Sequence, residues 1–363
     1  MPHATRRRLP ASASVAALAV TALTTALTTA GLGLTASPAA AERPVHEPTV
    51  ESTPLVKGLY QTAYSQRNDL VWTASAVGRP PVRESALTAV DPDTLEVVLQ
   101  VTPPVADPET GSLQAVYGVA VDDEHNTVWT TNTRNDSVSV YSQVDGSLLA
   151  TFDDVTHARE LAVDEKRDLA WATAVNTGEV VGFDTETLEE VARIDLTERF
   201  AGARATGLAL DEATGSLYVA DLQNNQLVSI VKPASDHPRI RAYATGAGTI
   251  GAAVSKNGRY AYTANQTDGT LSAVDLRRGT VRTVDTGAGA LSVEDDPRTG
   301  DLWVANRTEA TVTVLDDRTL TQLAEIPTAT NPNHVAFGGG SAWVVDKAND
   351  GPNEESNLYK ITR

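Results

Sequence analysis

A large aromatic residue recurs at seven equivalent positions along this chain, and no other feature of the sequence constrains the fold as strongly. All five tryptophans occupy this position, and tyrosine fills it twice. The seven positions are Trp72, Trp129, Trp171, Tyr218, Tyr262, Trp303 and Trp343, separated by 57, 42, 47, 44, 41 and 40 residues. Such a period indicates a repeat architecture in which each copy is one supersecondary unit.

Each copy of the repeat carries the pattern of four short strands. An apolar run such as Leu208–Asp211 precedes the aromatic residue, and an alternating run such as Val180–Asp184 follows it. Polar turns separate the runs, and no helical period appears after residue 41. Four-stranded units cover their faces by stacking on one another, which favours a closed ring. The sequence therefore predicts an all-β fold, a seven-bladed β-propeller with four-stranded antiparallel blades.

The two ends of the chain predict how the ring closes. The last repeat has a third strand near Leu358–Ile361 and then ends at Arg363, so it lacks a fourth strand. Residues 49–56 form a spare strand before the first repeat begins at Lys57. We expect this N-terminal strand to complete the last blade, because the pairing would remove two open sheet edges.

The first 41 residues have the pattern of an export signal. Arg6, Arg7 and Arg8 precede an uncharged stretch up to Leu34, and Ala39–Ala41 offers a small-residue cleavage site. The arginine run fits both the general secretion route and the twin-arginine route, and the choice stays open. We therefore predict a removed signal peptide at 1–41 and a single propeller domain at 42–363, secreted or held in the cell envelope without a membrane span.

Composition removes several classes of function. The chain has no cysteine, which excludes disulfides, thiolate metal sites, iron–sulfur clusters and a thiol nucleophile. The formal net charge is −18, and it becomes −21 once the three arginines of the export segment are removed. Such acidity opposes a protein that holds nucleic acid through a dominant basic surface. No motif for a metal or cofactor is present, and we expect no cofactor.

The repeated residues themselves are expected to be structural. A large ring at the same place in every sheet fills the gap between stacked blades, so we assign the seven aromatics to the inter-blade core. An asparagine or aspartate often follows the aromatic by three residues, as at Asn132, Asn265 and Asn306. We expect its side chain to shape the next turn by bonding local backbone.

Several segments resemble a known family of exported propellers. Tyr262–Asn265 is similar to the namesake of the YVTN β-propeller repeat. Lys57–Gln66, Asp91–Val97 and Arg159–Asp164 resemble the YncE-like seven-bladed propellers, and the resemblance extends over the mature chain. It implies a binding scaffold in the cell envelope or outside it, and it implies no particular chemistry.

Candidate site residues lie where the repeat varies, at the start of each innermost strand and in the two long loops between second and third strands, 76–86 in the first blade and 347–357 in the last. These positions surround the mouth of a propeller's central channel. Polar residues concentrate in blades 7, 1, 2 and 3, where we place a ligand site. The candidates are Tyr60, Gln61, Arg79, Arg83, Tyr117, His157, Arg159, Glu160, Asn333 and His334.

We interpret the chain as a binding or interaction scaffold, because it has no nucleophile elbow, HExxH motif or P-loop. The alternative is a lactonase-like hydrolase or lyase in which Arg159, Glu160 and His334 act as acid, base and oxyanion partner. A weaker alternative is nucleic-acid binding through a local basic mouth that includes Arg204. The partner could be a protein, a polymer or a small molecule, and we expect a monomer.

Overall fold

The computed structural model of the chain describes residues 47–348 and 355–363. The predicted signal peptide, residues 1–41, lies outside the described residues. The described part belongs to one compact unit and contains seven four-stranded antiparallel sheets and one two-stranded hairpin. No helix in these two ranges is long and apolar enough to cross a membrane. The predicted seven-bladed propeller is confirmed.

Strands are numbered in chain order, and each blade runs outward from an inner strand. The inner strands are β2 (Leu59–Ser65), β8 (Val116–Asp122), β12 (Ala158–Asp164), β16 (Ala205–Asp211), β20 (Thr249–Val254), β24 (Ala290–Asp295) and β28 (Pro332–Gly338). The second strands are β3 (Leu70–Ala76), β9 (Thr127–Asn132), β13 (Leu169–Ala174), β17 (Ser216–Asp221), β21 (Tyr260–Asn265), β25 (Leu302–Asn306) and β29 (Ser341–Asp346). Neighbouring inner strands contact one another around the ring, and β2 meets β28.

The two outer strands complete each blade. The third strands are β4 (Ser85–Val90), β10 (Ser137–Ser142), β14 (Glu179–Asp184), β18 (Gln226–Val231), β22 (Thr270–Asp275), β26 (Thr311–Leu315) and β30 (Asn357–Thr362). The fourth strands are β5 (Val97–Val101), β11 (Leu148–Phe152), β15 (Glu189–Asp195), β19 (Arg239–Ala244), β23 (Thr280–Asp285), β27 (Gln322–Pro327) and β1 (Thr49–Pro54). The extra hairpin, β6 (Val105–Asp107) and β7 (Ser112–Leu113), follows the first blade.

The repeated aromatics form the layers between blades, as predicted. Each tryptophan is at most 2% exposed. Trp129 of the second blade packs with Leu161 and Phe183 of the third. Its ring centroid lies 5.8 Å from those of Phe152 and Phe183. Each inter-blade layer is therefore a small hydrophobic core, and the ring needs no larger one.

The last blade is built from both ends of the described chain. Its sheet has the order β1-β30-β29-β28, so the N-terminal strand is its outer edge. The pairing is antiparallel, from Thr49 opposite Thr362 to Pro54 opposite Asn357. Just beyond the strand, the Leu55 N–H donates to the Ser356 carbonyl at 2.8 Å. The predicted closure is confirmed.

The sequence prediction of a local backbone bond holds for Asp221, which accepts from the Asn224 N–H at 3.4 Å, but it was wrong for the repeated asparagines. Asn306 Nδ2 donates to Thr311 Oγ1 at 3.2 Å and to Thr313 Oγ1 at 2.8 Å, and it also reaches the Thr286 carbonyl. Asn132 and Asn265 make the same pair of bonds to hydroxyls five and seven residues later. These side chains are fully buried, and the hydroxyls face them across the strand pair. They therefore hold the second strand to the third.

Candidate functional site

A β-bulge near the start of every inner strand shapes the channel mouth. In all seven blades the register between first and second strands shifts within the first few residues of the inner strand, for example between Leu59 and Gln61. A bulge places an additional residue on one strand and redirects its side chain. Seven bulges at one end of the ring therefore direct side chains from several blades toward a common point.

A cavity of about 250 Å³ lies at this end of the ring and is lined by six of the seven blades. Six of the candidates named from the sequence line it: Tyr60, Gln61, Tyr117, His157, Arg159 and Asn333. Six further residues complete the lining: Thr133, Arg134, Ile250, Gln266, Leu291 and Arg307. We call this cavity the mouth pocket.

Of these six further residues, Ile250 and Leu291 lie at the start of an inner strand, where the sequence prediction had placed the mouth. The other four were missed: Thr133, Arg134, Gln266 and Arg307. They follow the asparagine that ends the second strand, at Asn132, Asn265 and Asn306. The signal was present, because the repeat brings this position of each blade to the same end of the ring. The prediction had considered only the two longest of these loops, 76–86 and 347–357, and residues 349–354 of the second lie outside the described residues.

Positive charge collects in the mouth pocket without carboxylate partners. Across the described part of the chain, Arg134, Arg159 and Arg307 make no ion pair with an acid. Seven arginines elsewhere do so, at Arg167, Arg193, Arg259, Arg278, Arg298, Arg318 and Arg363. Burial lowers the pKa of Arg159, the neighbouring Glu160 charge raises it, and the Arg307 charge lowers it by less than Glu160 raises it. The guanidinium groups of Arg159 and Arg307 thus repel each other in a partly desolvated space.

Two tyrosines in close contact, with their ring planes tilted by 58°, form one wall of the mouth pocket. The ring centroids of Tyr60 and Tyr117 lie 3.9 Å apart. Lys347 Nζ donates to the Tyr60 hydroxyl at 2.6 Å, and Arg134 Nε lies 3.3 Å from the Tyr117 hydroxyl. Asn333 Nδ2 donates to the Tyr60 carbonyl at 2.7 Å and fixes the backbone below. This wall is a rigid apolar surface with cations at its edge.

Glu160 and His334 form a second layer with Gln61. Gln61 Oε1 accepts from the Val119 N–H at 3.1 Å, so its Nε2 is the atom that donates to Glu160 Oε1, at 2.7 Å. His334 Nδ1 accepts from the Thr62 N–H at 3.5 Å, which leaves the proton on Nε2, 3.9 Å from Glu160 Oε1. Gln61 thus donates to Glu160, whereas the His334 ring lies near the same oxygen but beyond hydrogen-bond distance.

Burial shifts the proton affinities of this layer in opposite directions. Desolvation raises the pKa of Glu160 from 4.5 to about 7, although Arg159 and the Gln61 hydrogen bond oppose the rise. Desolvation lowers the pKa of His334 to about 4, and the Arg159 charge adds to that effect. The pKa of His157 is also lowered, by burial first and then by Arg134. At neutral pH both histidines are uncharged, and Glu160 is poised between its two forms.

Replacing Glu160 by glutamine should stabilise the fold at high pH and not at low pH. Between pH 4.5 and 7 the folded protein keeps a proton on Glu160 that the unfolded chain has lost. This group therefore contributes less stability as the pH rises through that window, by up to ~3 kcal/mol. The Glu160→Gln variant lacks this loss, so it should exceed the wild type in stability at pH 8 and match it near pH 4.5.

Urea unfolding of both proteins at the two pH values measures this difference. The exposed Glu189→Gln substitution is the control and should leave the pH profile unchanged. A Glu160→Gln variant that is no more stable than the wild type at pH 8 would contradict the assigned environment of this carboxyl.

The other two predicted ligand residues lie apart from the mouth pocket. Arg79 is exposed and lines none of the described cavities, whereas Arg83 lines a separate cleft with Lys57 and Glu84. The loop that carries them is pinned at Val82, whose N–H donates to Ser112 Oγ and whose carbonyl accepts from the Leu113 N–H. The β6–β7 hairpin therefore holds Arg83 beside itself. A role for either arginine in binding stays a prediction.

Comparisons with known proteins agree with the fold and leave the chemistry open. The chain is 23% identical over 297 residues to the uncharacterised protein YncE of Salmonella typhi, covering 77% of this chain and 80% of that protein. It is 26% identical over 196 residues to YncE of Escherichia coli K12, covering 50% of this chain and 53% of that protein. The family model for the cytochrome D1 heme domain matches residues 212–336.

Two solved structures show the same architecture at low sequence identity. Virginiamycin B lyase of Staphylococcus aureus aligns with a TM-score of 0.69 and 13% identity, covering 87% of this chain and all of that one. Hydrazine synthase of Kuenenia stuttgartiensis aligns with a TM-score of 0.66 and 14% identity, covering 80% of this chain and 93% of that one. Likeness at this level shows the propeller fold alone.

The matched family's description names a haem, and both ring nitrogens of the channel residue His334 face other groups of the protein. Nδ1 accepts from the Thr62 N–H at 3.5 Å, and Nε2 lies 3.9 Å from Glu160 Oε1. Haem iron needs a protein ligand with a free lone pair, usually from histidine, cysteine, methionine or tyrosine. We therefore derive no chemistry through a haem.

Proposed function

We propose that this chain, a YncE-like seven-bladed propeller, is a binding scaffold whose ligand lies in the mouth pocket. The observation that carries the proposal is convergence: side chains from six blades line one cavity at the bulged ends of the inner strands. Concave sites with a few polar groups among apolar walls are where proteins hold small ligands. Export of the chain, inferred from its first 41 residues, is part of the same proposal.

The chemistry of the lining supports binding rather than packing. Ile250 and Leu291 provide apolar contact, and the Tyr60–Tyr117 pair offers aromatic surface. Arg159 leaves its Nε without a hydrogen-bond partner among the described residues. Unpaired polar groups in a partly desolvated site cost stability, and a ligand that pairs with them offsets that cost.

Blocking the pocket without changing its charge tests the proposal. Gln266 lines the mouth pocket and is half-buried, so the Gln266→Trp substitution should fill part of the cavity. The adjacent Thr267 is exposed and does not line the pocket, which makes Thr267→Trp a matched control. Thermal-shift screening of a library of anionic, neutral and cationic compounds should find ligands for the wild type and the control. Their affinity should fall more than tenfold in Gln266→Trp.

Compounds that stabilise both tryptophan variants equally would place binding elsewhere and contradict the proposal. A library in which no compound stabilises the wild type would also count against it. Both variants need the same thermal midpoint without ligand, so that a lost shift reports binding and not folding.

A lyase or hydrolase is the second candidate, favoured by the contact between Glu160 and His334. A carboxyl whose pKa is about 7 can give or take a proton at neutral pH. Incubating each ligand with the protein and recovering it for mass spectrometry separates the two candidates. A scaffold returns the compound unchanged, whereas an enzyme converts it and loses that conversion in Glu160→Gln.

A further inference from the structure

The mouth pocket has an unusual charge for this chain. The protein is strongly acidic, at −18 overall, yet three arginines from blades 2, 3 and 6 line one small cavity. Arg159 and Arg307 act on each other as like charges, and Arg134 and Arg307 both act on the Tyr60 hydroxyl. The three guanidinium groups therefore share one space, with no carboxylate paired to any of them in the described ranges.

We propose that the ligand of the mouth pocket is a small molecule with at least two anionic groups, carboxylate or phosphate, bound across Arg134, Arg159 and Arg307. This inference rests on the proposed function, because it names the ligand class of the same site. Guanidinium groups bind carboxylates and phosphates through paired, charge-assisted hydrogen bonds. Three of them on separate blades offer more donors than a single acidic group can use.

The lining between the arginines suits a compact carbon skeleton. Ile250 and Leu291 come from blades 5 and 6, and the Tyr60–Tyr117 wall comes from blades 1 and 2. A volume of about 250 Å³ holds a small metabolite and excludes a folded protein segment. The structure thus favours a ligand whose acidic groups contact the arginines while its carbon atoms contact these walls.

The rim around the mouth pocket opposes a long polyanion such as a nucleic-acid strand. The loops that carry Arg134, Gln266 and Arg307 also carry an acid, at Asp136, Asp268 and Glu309 respectively. Each of these exposed carboxylates accepts a hydrogen bond from a backbone N–H just before an inner strand, at 2.7, 2.6 and 3.2 Å. For Asp136 that inner strand belongs to the next blade, and for Asp268 and Glu309 it belongs to their own blade. Their positions are therefore fixed, and phosphates that left the pocket would meet negative charge.

Isothermal titration calorimetry at low salt tests the ligand class. The probes are acetate, succinate, citrate, glycerol 2-phosphate and an eight-nucleotide oligothymidylate. Citrate, succinate or glycerol 2-phosphate should bind at least tenfold more tightly than acetate, and the carboxylate and phosphate arms identify which acid the site prefers. Arg159→Gln and Arg307→Gln should each weaken that binding by about 10- to 100-fold, the usual range for a charge-assisted hydrogen bond. Arg239→Gln, an exposed arginine on β19, should change nothing.

Failure of this inference is distinguishable from failure of the proposed function. If a neutral compound binds and is excluded by Gln266→Trp while no multivalent anion binds, the ligand class is wrong and the binding site stands. If citrate binds to Gln266→Trp and to Arg307→Gln as tightly as to the wild type, the mouth pocket is not the site and both proposals fall. Tighter binding of the oligothymidylate than of every small anion, lost in Arg307→Gln, would overturn the small-ligand class. Circular dichroism of each variant excludes loss by misfolding.

Discussion

Replacing Trp129 by alanine is expected to lower the free energy of unfolding by about 3–5 kcal/mol. The indole is completely buried between the second and third blades, where it contacts Phe152 and Phe183. Alanine would leave a cavity in this layer beside the rings of Phe152 and Phe183, and a close-packed core collapses only partly around such a gap. Its removal also leaves Thr127 Oγ1 without the indole N–H, which donates to it at 3.1 Å.

Chemical unfolding followed by circular dichroism measures this loss. Val144→Ala is the control, since Val144 is 77% exposed and its truncation should change stability by less than about 0.5 kcal/mol. A Trp129→Ala variant that loses less than about 1 kcal/mol would mean that the repeated aromatics do not carry the inter-blade packing.

Removing the N-terminal strand is expected to have an effect of similar size through a different cause. The side chains of β1 are mostly exposed, so the strand stabilises the last blade chiefly through its backbone pairing with β30. At about 1 kcal/mol for each lost hydrogen bond, a chain that begins at Leu55 should lose several kcal/mol. It should also expose the edge of β30, whose Leu358 and Ile361 are buried in the intact ring.

A synthetic peptide of residues 47–54 provides the matched test. Added to the truncated protein, it should raise the thermal midpoint toward that of the intact chain, whereas a scrambled peptide should not. A truncated protein as stable as the intact one would contradict closure of the ring by β1.

The repeat predicted most of the fold because a large aromatic residue occupies the same buried position in every blade. The tryptophans mark the second strands, and the missing fourth strand of the last repeat pointed to residues 49–56. The YncE-like resemblance, inferred from segments such as Arg159–Asp164, is confirmed by relatives that share 23–26% identity. Local patterns suffice here because each blade contacts only its neighbours.

The site was predicted less completely, for reasons of geometry. Tyr60, Tyr117 and Arg159 were found because the inner strands of a propeller begin at one rim. Arg307 was missed because its loop is short and the prediction had followed only the two longest loops at this end of the ring. The placement of Arg83 depends on the β6–β7 hairpin, an insertion without a counterpart in the repeat.

The hydrogen-bond partners of the repeated asparagines also depend on the three-dimensional structure rather than on local sequence. Sequence spacing suggested a local turn bond at Asn306, since such bonds are common for short polar side chains. Full burial changes the balance, because an amide without water must find partners among neighbouring side chains. The hydroxyls of Thr311 and Thr313, on the paired strand, supply them.

A crystal structure of the protein grown with the tightest-binding small anion tests the central claim most directly. The claim is that the mouth pocket binds a ligand through arginines that form no ion pair with an acid in the described part of the chain. The expected result is density for the anion within hydrogen-bond distance of Arg159 and at least one of Arg134 and Arg307. An empty mouth pocket at a ligand concentration that saturates the protein in solution, or density at another surface, would contradict it.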